Sequence, residues 1–466
     1  MLMRRVLFII VVMLSVCIIA DAQLIIQPSG NHAPQSSHDP VPPPSYPHLI
    51  ITTRELAPAF GRLVAWRNAR DLKSGVVCIE DLMETPTEAY SLFDNICQID
   101  GSGNREIITL TDSAAVLRGY LRYCRQSFSS NRCHYVLLAL NGVYRAYRGI
   151  PSDLYFTDLT TRWNRYSDNT FDFDTSSTAL PDLSVGRLMC STPEEVMNYI
   201  DKVIRYERNP GDGDASYLTR GVYTECDWMQ GLHWADVKLK NMLDSIVDDY
   251  TLFYEYDFHN PTGTQVVNDI DINHYGIWGL QGHGSPLGIS VNNLPSKYLG
   301  LLPYGITSTT ASPAHLVNEA GNALNCMTHS KLYPSVCYTV ACTVMPYDQY
   351  SNPNNFPNFG QSFTCGKGYG GVAFLGNTRD GYGVSISLEQ MFFKQITEVN
   401  SCIGRAEAAS RSMAFYPNVS DQAMAIRAAH NLLGDPAINM WTTVPDTITF
   451  DPPVAHFVRQ QFNSCL

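Results

Sequence analysis

The chain has 466 residues, of which 45% are hydrophobic, 11% aromatic and 16% charged. That composition suits one or two packed domains and disfavours disorder and coiled coil. Lys and Arg number 32 against 44 Asp and Glu, a formal charge of −12 with no compensating basic stripe, which argues against a nucleic-acid surface. Thirteen cysteines leave nucleophile, metal ligand, disulfide and inert thiol all open.

Arg4 and Arg5 precede an apolar run at 6–20 that ends in Ala20-Asp21-Ala22, the small-x-small pattern of a cleavage site. Residues 1–22 therefore read as a secretory signal peptide, since the run is shorter than the roughly 20 residues needed to span a bilayer. No later run is long and apolar enough, so the mature chain is expected to be exported, secreted or periplasmic, with no membrane span after leader cleavage. Residues 23–47 follow as a Pro-rich tether or short pro-segment, with eight prolines and glycines in the 21 residues 27–47.

The folded part opens on the strand His48-Leu49-Ile50-Ile51. Thr52 and Glu55 have the spacing of a capping box, and Leu56, Phe60, Leu63 and Val64 predict a helix through about Leu72. A strand at 76–79, a helix capped by Asp112 with Val116, Leu117, Tyr120 and Cys124, and a strand at 135–140 continue the alternation expected of a parallel sheet covered on both faces. Residues 150–180 read as loop. A strand at 183–188 leads into Thr192-Pro193-Glu194-Glu195, a capping box with Pro at the first helical position.

The run Asn209-Pro210-Gly211-Asp212-Gly213-Asp214 marks a subdomain boundary. Strands at 221–224, 252–256, 275–280, 336–341 and 372–375 follow, with helices at 235–248, around Leu388 to Ile396, and at 424–433. Two successive α/β sheets, separate or joined edge to edge, fit this better than one barrel. The organisation is an N-terminal subdomain 48–212, a second subdomain 213–445 and a tail 446–466.

Catalytic groups on an open parallel sheet gather beyond the carboxyl ends of its strands. Two strands end in such residues: one runs into Gly282-His283-Gly284-Ser285, the other into Ala341-Cys342. A Cys needs a base or cation nearby to become a thiolate at neutral pH, and an imidazole supplies it. The N–H groups of Gly284 and Cys342 are positioned to face an oxyanion. Read alone, a strand-end Cys is more often a core thiol and a His among glycines more often a turn residue, so this pairing leaves a Cys-His dyad and a structural role both open.

These two motifs resemble the catalytic signature of caspase-like cysteine peptidases, specifically the gingipain family. Asp182-Leu183-Ser184-Val185-Gly186-Arg187-Leu188 with the helix after it, Gly370 to Thr378, and Leu433-Gly434-Asp435-Pro436-Ala437-Ile438 resemble further family segments in the same order, so the resemblance covers roughly residues 49–441. It implies a caspase-like three-layer α/β sandwich of two side-by-side subdomains with mostly parallel sheets. It also implies a cysteine endopeptidase with Cys342 as nucleophile, forming a thioester acyl-enzyme, and His283 as general base and acid. An acidic residue near an earlier strand end would orient the His, with Asp227 the first choice and Glu225 the second. Asn377, Thr378 and Tyr382 would line the substrate pocket.

Partners would be protein or peptide substrates, and no cofactor is required. No zinc pattern occurs, and the resemblance leaves structural calcium open without a legible ligand set. The insertion 287–331 between His283 and Cys342 departs from the family and would overhang the site as a lid or specificity element. Basic specificity does not carry over, because no acidic pocket residue aligns; Asp236 is nearest. The alternatives are a catalytically silent binding or scaffold protein and a transpeptidase using the same dyad. With Cys17 lost in the leader and Cys342 assigned to catalysis, eleven cysteines remain, an odd number that leaves at least one more unpaired within the chain.

Overall fold

Apolar runs without polar alternation belong to strands buried on both faces, and the chain uses them to build its centre. The computed structural model describes residues 43–85, 94–110, 113–126, 128–140, 152–160, 163–166, 171–173, 181–226, 246–254, 261–292, 305–308, 322–348, 357–383, 385–412 and 421–445. The leader, most of the tether, the tail 446–466, Asp112, Asp227, Asp236 and nearly all of the helix expected at 235–248 lie outside them.

The strands in chain order are β1 (His48–Thr52), β2 (Ser74–Cys78), β3 (Asp94–Ile99), β4 (Arg105–Leu110), β5 (Tyr135–Ala139), β6 (Trp163–Tyr166), β7 (Phe171–Phe173), β8 (Ser184–Arg187), β9 (Arg220–Glu225), β10 (Asp249–Tyr254), β11 (Ile277–Gln281), β12 (Gly284–Ser285), β13 (Gly288–Ser290), β14 (Gly305–Thr307), β15 (Ser335–Tyr338), β16 (Gly371–Asn377) and β17 (His430–Gly434). Ten of them form one sheet in the order β10-β9-β11-β15-β16-β17-β8-β5-β1-β2. Its pairings are parallel except β16 with β17, so the two halves run in opposite directions. The two sheets expected from the sequence are thus halves of one continuous sheet, mostly parallel.

Neighbouring residues of a strand feed different apolar clusters. Leu49 and Ile51 face one cluster with the helix Ser113–Gln126, while Ile50 faces another with the helices Gly61–Asn68 and Pro193–Arg208. In the second half Trp278 and Leu280 point into a third cluster, and Ile277 into the one that spans both halves. Helices therefore cover both faces of the sheet, the three-layer arrangement.

Local signals fare unevenly. Thr192 accepts from the Glu195 N–H and the Glu195 carboxylate accepts from the Thr192 N–H, so that capping box is made. The Thr52 and Glu55 box is not: a short 3-10 turn, Ala57–Phe60, precedes the helix Gly61–Asn68, neither with a side-chain cap. The helix expected at 424–433 stops at Ala429, because Leu432 and Leu433 are drawn into the sheet as β17. Within the stretch read as loop, β6 and β7 join β3 and β4 in a small four-stranded sheet.

The seam between the halves is fixed electrostatically. Asp435, wholly buried just after β17, accepts from His48 Nε2 at 3.0 Å and from Arg67 Nε and Nη2 at 2.9 and 2.8 Å. Arg67 also pairs with Glu207 at 2.8 Å. Burial alone would push the Asp435 carboxyl up, but Arg67 and His48 hold it well below the usual carboxylate range. Removing one partner of a buried pair strands the other, at a cost of about 3–5 kcal/mol. Asp435→Ala is expected to lower stability by about that amount in urea unfolding at neutral pH. The deficit should persist down to the ordinary carboxylate range, because the native Asp435 stays ionised there.

Candidate active site

Both candidate residues lie just past the ends of adjacent parallel strands. The register pairs Gly279 of β11 with Tyr338 of β15. His283 is four residues beyond Gly279 (283 − 279) and Cys342 four beyond Tyr338 (342 − 338), so both leave the sheet at the same edge. The contact is direct at the next residue: a Cβ built on Gly284 would lie 2.3 Å from the Cys342 carbonyl oxygen and 2.9 Å from the Ala341 Cβ. Only glycine permits that approach.

The loop carrying Cys342 is held from several sides. Asn377, at the end of β16, donates from Nδ2 to the Val340 and Ala341 carbonyls at 3.0 and 3.1 Å. Thr339 Oγ1 donates to the Leu280 carbonyl and accepts from the Ala341 N–H at 3.0 Å. The Thr343 N–H donates to the Arg379 carbonyl at 2.8 Å. Thr343 itself sits at φ +50°, a left-handed conformation that a β-branched residue adopts only when its surroundings impose it. Further along, Tyr347 Oη donates to the Asp153 carboxylate at 2.8 Å, tying the loop to the other half of the sheet.

Cys342 is half-exposed, as are Cys78 and Cys326, whereas Cys124, Cys133, Cys190, Cys226, Cys337, Cys365 and Cys402 are buried. Its thiol receives the Gly381 N–H at 3.2 Å. Burial pushes the thiol above its ordinary value, the Gly381 N–H pulls it back, and the charge of Asp380 raises it. The resting group is therefore a thiol, and attack on a carbonyl requires a base to take its proton. His283 is exposed, immediately before β12, the first strand of a small three-stranded antiparallel sheet of β12, β13 and β14. The described part of the 287–331 insertion thus folds back beside His283, where the Ser290 N–H donates to the His283 carbonyl at 2.7 Å.

The remaining sequence candidates are distributed differently. Glu225 ends β9, buried and level with Gln281 of β11. Asn377 and Thr378 are both wholly buried and offer no side-chain surface to a substrate; Asn377 braces the loop, whereas Thr378 Oγ1 donates to the Ala429 carbonyl at 3.0 Å. Tyr382 is half-buried next to Gly381, at the entry to the helix Ser385–Glu398, where its carbonyl accepts from the Ser385 N–H at 2.8 Å. Reading the sequence missed Gln281, Glu389, Gly381 and Thr343. Two of these left a signal: Gln281 is a polar residue inside a buried strand, and Glu389 shares the helical face of Phe392, Phe393 and Ile396.

A half-exposed thiol and an exposed imidazole past the carboxyl ends of adjacent strands fit the class to which the family match assigns the chain, a cysteine peptidase, acting on protein or peptide substrates. The chain belongs to peptidase family C25, whose family model matches residues 42–441. Its fold is similar to that in the crystal structure of the Arg-specific cysteine proteinase gingipain R (RgpB), with 16% identity, a TM-score of 0.59, and coverage of 88% of this chain and 82% of that one. It is similar also to the complex of the pro- and mature domains of Porphyromonas gingivalis RgpB, at 16% identity and TM-score 0.57, covering 86% of this chain and 81% of that one. At such identity the likeness is one of fold. No curated protein sequence matches significantly. Among the described residues no helix is long and apolar enough to cross a membrane.

The close approach at Gly284 gives a direct test. Gly284→Ala is expected to force the His283 strand and the Cys342 loop apart and to lower kcat on the order of a hundredfold, with a native-like melting curve.

Proposed function

We propose that the protein is a secreted cysteine endopeptidase working through Cys342 and His283. The observation that carries this reading is the packing of Gly284 against the Cys342 backbone, with both residues at the ends of register-matched strands. His283 takes the thiol proton as sulfur attacks the scissile carbonyl carbon, and the electron pair moves onto the carbonyl oxygen, facing the N–H groups of Gly284 and Cys342. The tetrahedral intermediate collapses to a thioester, and the leaving amine departs with the proton held by the imidazolium. Water, deprotonated by His283, then attacks the thioester; the acid product leaves and the thiol is restored.

An acidic side chain orients the imidazole in this scheme. Asp227 remains the first choice and Glu225, at the end of β9, the second. Tyr382, beside Gly381, contributes to the substrate pocket. The nucleophile and base come from the chain itself, so this chemistry calls on no cofactor. Export by the leader at 1–22 completes the proposal.

The expected outcome is that Cys342→Ala and His283→Ala each abolish cleavage of an unbiased peptide library, read by mass spectrometry, while melting like the parent. A Cys342→Ala protein that cleaves at the parental rate would overturn the assignment. Digestion with an added amine nucleophile reports whether water or the amine resolves the acyl-enzyme.

A further inference from the structure

Gln281 is the last residue of β11, two before His283, and only 1% exposed. Its side chain leaves its own strand. The Oε1 atom accepts from the Val340 N–H at 2.9 Å, and Val340 is two residues before Cys342. The Nε2 atom donates to Glu389 Oε1 at 2.8 Å, on the helix Ser385–Glu398. The Gln281 backbone carbonyl accepts from Thr224 Oγ1 of β9 at 3.3 Å. One residue thus bonds to three elements at the point where the chain leaves the sheet for the catalytic loops.

The carboxyl partner matters because an amide has two different ends. The Val340 N–H requires an acceptor, and a flipped amide would present it with a second donor. Glu389, accepting at the opposite end, fixes the amide in the one orientation that holds Val340. Glu389 is itself 1% exposed, on a helix face otherwise filled by Phe392, Phe393 and Ile396. A carboxyl on such a face is costly unless it does something an apolar residue cannot.

We propose that Gln281, oriented by Glu389, is a positioning residue of the peptidase reaction, locking the strand ends that carry His283 and Cys342 in one register. This inference rests on the Cys342 and His283 reading above.

The electrostatics give the pair a pH signature. Burial pushes the Glu389 carboxyl up to about 8, the Gln281 amide opposes this, and the charge of Glu225 adds to it. Tyr223 of β9 and Cys337 and Tyr338 of β15 also face Glu389. Glu389 is therefore a neutral acid at pH 7. Because its native value lies above that of the unfolded chain, roughly 4.3, the protein binds more protons folded than unfolded between the two values. Stability accordingly falls as pH rises from roughly 4.3 to about 8. Above that, ionised Glu389 still accepts from Gln281, but it repels Glu225 and pushes the helix that holds the amide away from β9.

The test compares the full chain with Gln281→Leu, Glu389→Leu, Glu389→Gln and Cys342→Ala. Active thiol is titrated with a thiol-directed peptide electrophile, so that kcat is expressed per competent site. Gln281→Leu and Glu389→Leu are expected to lose on the order of tenfold to a hundredfold in kcat with KM within about threefold, and Glu389→Gln to recover most of the loss. A folded Gln281→Leu whose kcat stays within about threefold of the parent overturns the proposal, as does equal kcat in the two Glu389 variants. Should both leucine variants fail to melt cooperatively, the pH profile of Glu389→Gln decides. The parent is expected to lose kcat as pH rises through about 8; absence of that fall in Glu389→Gln supports the role, and an alkaline limb the same in both proteins overturns it. A Cys342→Ala protein that still turns over sinks the underlying catalytic reading. A dead Cys342→Ala beside an unimpaired Gln281→Leu sinks only the positioning role.

Discussion

A single buried carboxylate, Asp435, joins the parts on which everything else rests. It receives His48 from β1 and Arg67 from the helix Gly61–Asn68, and its own N–H bonds to Tyr199 Oη, which in turn donates to the Val372 carbonyl of β16. Contacts from 48 to 435 in sequence converge there. An uncompensated charge at zero exposure would be prohibitive, so these partners must arrive together or the core does not close. Gly434, at φ +132°, is part of the same constraint: a Cβ there would lie 2.4 Å from the Val372 carbonyl oxygen.

This seam sets the polarity of the molecule. β17 runs antiparallel to β16 and parallel to β8, so the strands of the two halves end on opposite edges. The carboxyl ends of β9, β11, β15 and β16 consequently gather at one edge, where backbone can turn away from the sheet into loops. Close packing there replaces side-chain bulk with glycine. Gly284 lets Cys342 approach, and a Cβ on Gly381 would lie 2.2 Å from the Val340 carbonyl oxygen and 2.7 Å from Asn377 Nδ2. The strained Thr343 and the bonds from the buried amides of Gln281 and Asn377 to Val340 and Ala341 hold the backbone on both sides of Cys342. Strain of this kind, costing roughly 1–3 kcal/mol, survives only where the surrounding bonds over-determine the conformation.

Much of this was legible before any coordinates. Continuous apolar runs announced β1, β5, β11, β15 and β16, and the Thr192 capping box announced a helix, because each of these signals is local. Cys342 and His283 stood out because reactive side chains followed such runs directly. The stretch ending in Leu432 and Leu433 misled, since a short apolar run fits helix and strand alike, and only the vacant place between β16 and β8 made it a strand. Asn377 and Thr378 were chosen as pocket walls from their place after a strand. Their complete burial reflects Asn377's bonds to the Cys342 loop and Thr378's to Ala429, contacts distant in sequence that no local pattern encodes.

By itself the sequence determined the alternation of strands and helices and a thiol and an imidazole at strand ends; the class followed from the family resemblance that these and the Gly-Asp-Pro segment carry. Tertiary structure alone decided that the two sheets join edge to edge through β16 and β17, that the halves run in opposite directions, and that Gln281 reaches across to Val340 beside Glu389. The reason is physical. Periodicity and capping act over a few residues, whereas strand order, register and the pairing of buried polar groups depend on segments 50 to several hundred residues apart meeting in space.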